Sequence, residues 1–86
     1  MKQTERILKA LANRRRLAII KHLKNYKQSA VGDMAAAIKL SLKATSKHLA
    51  ILKAADIVES DQRSLSVFYH LVPLPAGLLK SIISYL

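Results

Sequence analysis

Lys43, Ser46, Lys47 and Ala50 recur at the spacing of one helical face, and Thr45, Leu49 and Leu52 recur on the opposite one. With the second set turned inward, Lys43 and Lys47 project almost directly outward at about 100° per residue. Ammonium groups so placed bind phosphate oxygens or guanine O6 and N7. Serine hydroxyls pair with base edges, and a small Ala50 permits close approach or meets a thymine methyl. Lysines alone would merely solvate an exposed face, but the small residues beside them and an adjoining hairpin favour contact in a nucleic-acid groove.

Arg14-Arg15-Arg16 stands at the start of a helix, where cations oppose the macrodipole at a cost of some tenths of a kcal/mol each. Phosphate contact would offset that cost. Arg15 fits this role, whereas Arg16 projects to the same side as Ile20 and Leu23 and is expected to be structural. Gln62 and Arg63 fall in a polar hairpin tip that can reach a phosphate or the minor groove. Solvation alone also makes such tips polar.

Other chemistries find little support. His22, His48 and His70 sit on three different elements without the paired spacing of metal ligands. With no cysteine there is neither a disulfide nor a thiolate site, and five acidic residues leave little for acid–base catalysis. No glycine-rich phosphate loop or nucleophile–histidine–carboxylate spacing emerges. A non-enzymatic protein without metal or cofactor is expected.

Fifteen Lys and Arg against five acids give a net charge of +10, which calls for a polyanionic partner, and double-stranded DNA fits best. The charge is uneven: residues 1–53 carry net +11 and residues 54–86 net −1. No stretch approaches the roughly 18 apolar residues of a membrane span, so a cytoplasmic protein without membrane contact is expected.

The elements that position these residues follow from periodicity. Ile7, Leu8 and Leu11 form a first amphipathic stripe, and Asn13 is placed to cap a second helix carrying Leu17, Ile20 and Leu23. The polar stretch Asn25 to Ser29 reads as a connection. Val31, Met34, Ala35 and Ile38 make a short third helix, and after Lys39-Leu40-Ser41 the residue Ser41 caps a fourth. Beyond Asp56, β-branched Ile57-Val58, polar Asp61 to Ser64 and alternating Leu65 to Leu71 predict a two-stranded hairpin. Pro73-Leu74-Pro75 punctuates the chain, and Pro75 suits the first turn of a last helix.

This order, α-α-α-α-β-β-α, is mainly α with a small β-hairpin: one winged helix-turn-helix domain over residues 1–86. Its candidate DNA-binding residues are Ser41, Lys43, Ser46, Lys47 and Ala50, with Arg15, Gln62 and Arg63. In the last helix Leu78, Leu79, Ile82, Ile83 and Leu86 span an arc of about 140°. Such a wide stripe on a domain with a thin core calls for a partner. With Ile7 and Leu11 it predicts a homodimer interface through the terminal helices.

From Leu8 to Leu71 the sequence resembles the ArsR-type winged-helix repressors. Leu8-Lys9-Ala10-Leu11-Ala12-Asn13 with Arg16-Leu17 and Ile20 is similar to the family's opening, and Val31 to Leu40 to its next helix. Ser41-Leu42-Lys43-Ala44-Thr45-Ser46-Lys47-His48-Leu49 resembles the recognition helix. Leu52 to Val58 and Val67-Phe68-Tyr69-His70-Leu71 resemble its exit and the wing. The resemblance implies a homodimer joined through the first and last helices, bound to a partly palindromic operator and usually repressing its own promoter.

The departures from the family pattern are specific. The turn glycine is Lys39 and the pre-wing glycine is Asp56; a lysine in left-handed conformation costs about 1 kcal/mol or more. Leu42 and Lys47 replace the common glutamine and arginine readers, so no operator sequence is inherited. The cysteine motif of the third helix and the Asp/His ligands of the last are both missing, so no metal response is inherited either. Three functions compete: sequence-specific regulation, nonspecific DNA architecture, and a winged-helix protein–protein module whose charge serves solubility.

Overall fold

The computed structural model describes residues 1–73, 75 and 77–86. It comprises α1 (Lys2–Leu11), α2 (Arg14–Tyr26), β1 (Gln28–Ala30), α3 (Val31–Ile38), α4 (Leu42–Ala54), β2 (Val58–Arg63), β3 (Ser66–Leu71) and α5 (Gly77–Tyr85). The described residues form a winged helix-turn-helix with five helices around one core.

Local chemistry sets the helix boundaries. Asn13 Oδ1 accepts from the N–H groups of Arg15 at 2.9 Å and Arg16 at 3.1 Å, satisfying two donors that α2 would otherwise leave open. Ser41 Oγ accepts from Ala44 N–H at 3.1 Å, and Thr45 Oγ1 donates to Ser41 O at 2.8 Å, closing the first turn of α4. α3 ends in paired back-bonds, Leu40 N–H to Ala35 O and Lys39 N–H to Ala36 O. The same pair recurs after α4, from Ile57 to Leu52 and from Asp56 to Lys53. Such an ending needs a left-handed residue, and both positions supply one: φ is 56° at Lys39 and 58° at Asp56.

The sheet differs from the expected hairpin in two ways. Gln28–Ala30, within and just after the polar stretch expected to connect two helices, is a third strand that pairs antiparallel with β3, giving the order β1-β3-β2. Three residues carry no periodic signal of their own; they become a strand because β3 presents a free edge. The hairpin also turns later than expected. β2 runs through Arg63, which pairs with Ser66, so Gln62 and Arg63 close the strand and Ser64-Leu65 form the tip.

Ile19, Ile20, Leu23, Met34, Leu49, Leu52, Ile57 and Val58 form the centre of the core, covered by Ile7 and Leu11 from α1 and Leu79 from α5. Pro75 precedes α5 by two residues and is not in its first turn. Of the proline-flanked punctuation, Leu74 lies outside the described residues, as does Ala76.

Lys39→Gly is expected to stabilise the protein by about 1 kcal/mol, because glycine adopts the left-handed conformation without the Cβ penalty. Lys39→Ala should bring no such gain. Urea denaturation checks both, with a raised midpoint for the glycine variant alone.

Candidate nucleic-acid interface

α4 is held by one face and free on the other. Thr45, Leu49 and Leu52 have no exposed surface, whereas Lys43, Ser46, Lys47 and Ala50 are all exposed. Ser41 is exposed too, although its hydroxyl already caps the helix. Leu42 also faces outward, 56% exposed at the helix start. The outward surface is therefore cationic and small in profile, with an apolar leading edge.

Two contacts hold α4 in place from its flanks. Lys53 Nζ donates to Ser60 Oγ at 2.8 Å, tying the end of α4 to β2. On the other side Arg16 acts as a brace. Its Nε donates to Ala10 O at 2.6 Å and its Nη2 to Lys9 O at 3.3 Å, satisfying carbonyls at the end of α1. Its Nη1 lies 3.2 Å from His48 Nδ1. A guanidinium only donates, so the ring nitrogen is the acceptor and is unprotonated there. Burial first, then the charges of Arg16 and Arg15, push the His48 pKa below its usual value.

The three arginines thus divide. Arg16 is half-buried and structural, through carbonyl and imidazole contacts, while Arg14 and Arg15 are exposed at the start of α2. On the wing, Arg63 lies 5.1 Å over the Phe68 ring and 3.8 Å from Asp61, and Gln62 is exposed beside it. His70 Nε2 is 3.4 Å from the same Asp61 carboxylate and 4.0 Å from Glu59. The fully outward tip residue is Leu65, 98% exposed. Neither the strut from Lys53 to Ser60 nor the seat of Arg63 on Phe68 has a sequence signal, because each joins residues from different elements or strands.

The three histidines remain apart. His22 Nε2 is 3.0 Å from Ser29 Oγ, His48 meets Arg16, and His70 meets the wing carboxylates. Among the described residues no group of three or more His, Asp or Glu is arranged to hold a metal ion.

The residues expected at a homodimer interface separate as well. Ile7, Leu11 and Leu79 are almost wholly buried in the protomer's own core, which leaves them little surface for a partner. Leu78 is exposed, while Ile82, Ile83 and Leu86 are half-buried against the core. Between α1 and α5 runs an apolar groove of about 380 Å³, lined in part by Leu8, Leu17, Ile82, Tyr85 and Leu86. Leu8, 49% exposed and lining this groove, lies outside the expected set, although it shares the α1 stripe with Ile7 and Leu11.

Residues 13–60 match the model of a bacterial regulatory protein family, the arsR family. The transcriptional activator HlyU of Vibrio cholerae is 40% identical over 65 residues, covering 76% of this chain and 59% of that protein. The match therefore spans less than two thirds of that relative's length. A structure of HlyU from Vibrio cholerae superposes with a TM-score of 0.84 at 32% identity, covering 98% of this chain and 87% of that one. The homodimeric winged helix-turn-helix DNA-binding domain of a possible ArsR-family transcriptional regulator from Mycobacterium bovis gives a TM-score of 0.85 at 28% identity, covering 98% and 75%.

If the outward face of α4 contacts DNA, Lys47→Ala should weaken binding to a preferred duplex by about tenfold to a hundredfold, the range for one base or phosphate contact. The melting temperature should not change, since Lys47 is exposed. Unchanged affinity would remove Lys47 from the interface.

Proposed function

The chain belongs to the arsR family of bacterial regulatory proteins, and on that premise we propose that it is a sequence-specific, double-stranded-DNA-binding transcriptional regulator acting as a cytoplasmic homodimer. Ser41, Lys43, Ser46, Lys47 and Ala50 contact the major groove. Arg15 contacts a phosphate beside it, and Gln62 and Arg63 carry the wing to the backbone or minor groove. The protein represses by occupying promoter DNA and requires no catalysis, metal or cofactor.

What carries this reading is the two-sidedness of α4, whose buried Thr45, Leu49 and Leu52 leave a small, cationic face turned outward. A helix so presented, next to a β-hairpin, suits the width of the major groove. The dimer is supported by the apolar groove between α1 and α5, by the exposure of Leu8 and Tyr85 that line it, and by the exposure of Leu78 on α5. Two-fold pairing there would set two recognition helices against half-sites about one turn of DNA apart. The relative from Mycobacterium bovis is homodimeric, which supports a dimeric state.

Titrating the protein against the duplex upstream of its own gene and against a scrambled duplex, at two salt concentrations, tests the reading. A preference of at least about 10³, with affinity falling as salt rises, is expected. Equal, salt-sensitive affinity for both would indicate an architectural binder, and no binding to either would indicate a protein-interaction module. Leu8→Glu should convert the dimer to a monomer in sedimentation with its helical content intact, since Leu8 lies outside the core. A persistent dimer would place the interface elsewhere.

A further inference from the structure

Between α1 and the exposed C-terminal part of α4 lies a second concavity, of about 500 Å³. Its floor is apolar, formed in part by Ile51, Ala54 and Ala55, and its rim carries Arg6, Lys9 and Arg16 with no acidic residue among the lining. Ile51 is 43% exposed there, an apolar side chain facing water on a helix that packs well without it. Lys9 has an exposed partner in Glu5 at 3.9 Å, a pair that solvent screens strongly. Arg16 donates three N–H groups to Ala10, Lys9 and His48, and a guanidinium has five.

A mostly apolar hollow of this volume with a few converging polar groups has the make-up of a small-molecule site. The rim selects for an anion, and the floor selects for an apolar body attached to it. A DNA phosphate would satisfy the rim but leave Ile51 and Ala54 facing water, so nucleic acid is the poorer match. The cleft also lies away from the proposed dimer groove: Leu8 lines one and Arg6 the other, about 200° apart around α1.

We infer that this cleft binds a small aromatic carboxylate, with its carboxylate among Arg6, Lys9 and Arg16 and its ring on Ile51 and Ala54. The occupant reaches Arg16, and Arg16 touches His48 on α4, so binding is felt by the helix proposed to read DNA. The site itself does not rest on DNA binding and is tested on the free protein.

The probe is 2-naphthoate, titrated into the ¹⁵N-labelled chain and followed by NMR. Saturable shifts at Ala10, Ile51 and Ala54 and at the His48 ring are expected, with a Kd of about 1 mM or tighter. The uncharged 2-naphthamide should bind at least about tenfold more weakly, lacking the charge-assisted contacts. Arg6→Glu should weaken 2-naphthoate binding by a similar factor and Ala54→Phe should abolish it by filling the floor. Both side chains are exposed, so the fold persists. Lys80→Glu, which changes net charge equally but lies on α5, should leave affinity unchanged. Equal binding of the amide, shifts centred instead on Leu8, Leu17 and Leu86, an unmoved His48 ring, or no saturable shift would each overturn the proposal.

Discussion

Everything on the proposed DNA side depends on how completely α4 buries one face. Thr45, Leu49 and Leu52 have no exposed surface, and Thr45 also returns its hydroxyl hydrogen to Ser41 O, so it leaves no unpaired polar atom in the core. With those three seated, α4 cannot rotate about its axis, and the directions of Lys43, Ser46, Lys47 and Ala50 follow. Ser41, which starts the helix, and the left-handed Lys39 and Asp56, which end α3 and follow α4, define the segment that is held. The Lys53–Ser60 bond carries that orientation onward to β2 and hence to the wing.

Electrostatics tie the rest to this helix. Three arginines at the start of α2 oppose its dipole, yet their settings divide. Arg16 closes the end of α1 and contacts His48, converting an unfavourable position into a joint among α1, α2 and α4. Arg14 and Arg15 remain in solvent. On the wing the charge is more balanced: Asp61 lies near both Arg63 and His70, and Phe68 lies beneath the guanidinium. The cation-rich first 53 residues and the near-neutral remainder therefore correspond to a strongly basic helical part and a wing and last helix of mixed character.

Much of this was legible in the sequence because it is local. Asn13 and Ser41 cap the helices for which their types suit them, and the inward and outward faces of α4 follow from spacing within thirteen residues. Lys39 and Asp56 adopt the left-handed conformation that the family resemblance implies at glycine positions. What was not legible is what distant partners decide. β1 exists only through β3, and the hairpin turns at Ser64-Leu65 because strand register with β3 extends β2 through the polar residues. Ile7, Leu11 and Leu79 look no different in sequence from Leu8 and Leu78, yet the first three are buried in the protomer and the other two face out. A one-dimensional stripe does not reveal which of its edges the chain itself covers.

The central claim is that the outward face of α4 enters the major groove, and the most direct measurement of it is dimethyl sulfate protection on the bound promoter duplex. Dimethyl sulfate methylates guanine N7 in the major groove and adenine N3 in the minor groove, so one experiment reports both. Guanine N7 protection in two patches about one helical turn apart is predicted, and it should disappear in the Lys43→Ala, Lys47→Ala double variant. Protection confined to adenine N3, or a guanine pattern that the double variant leaves unaltered, would contradict the assignment of α4 as the reading helix.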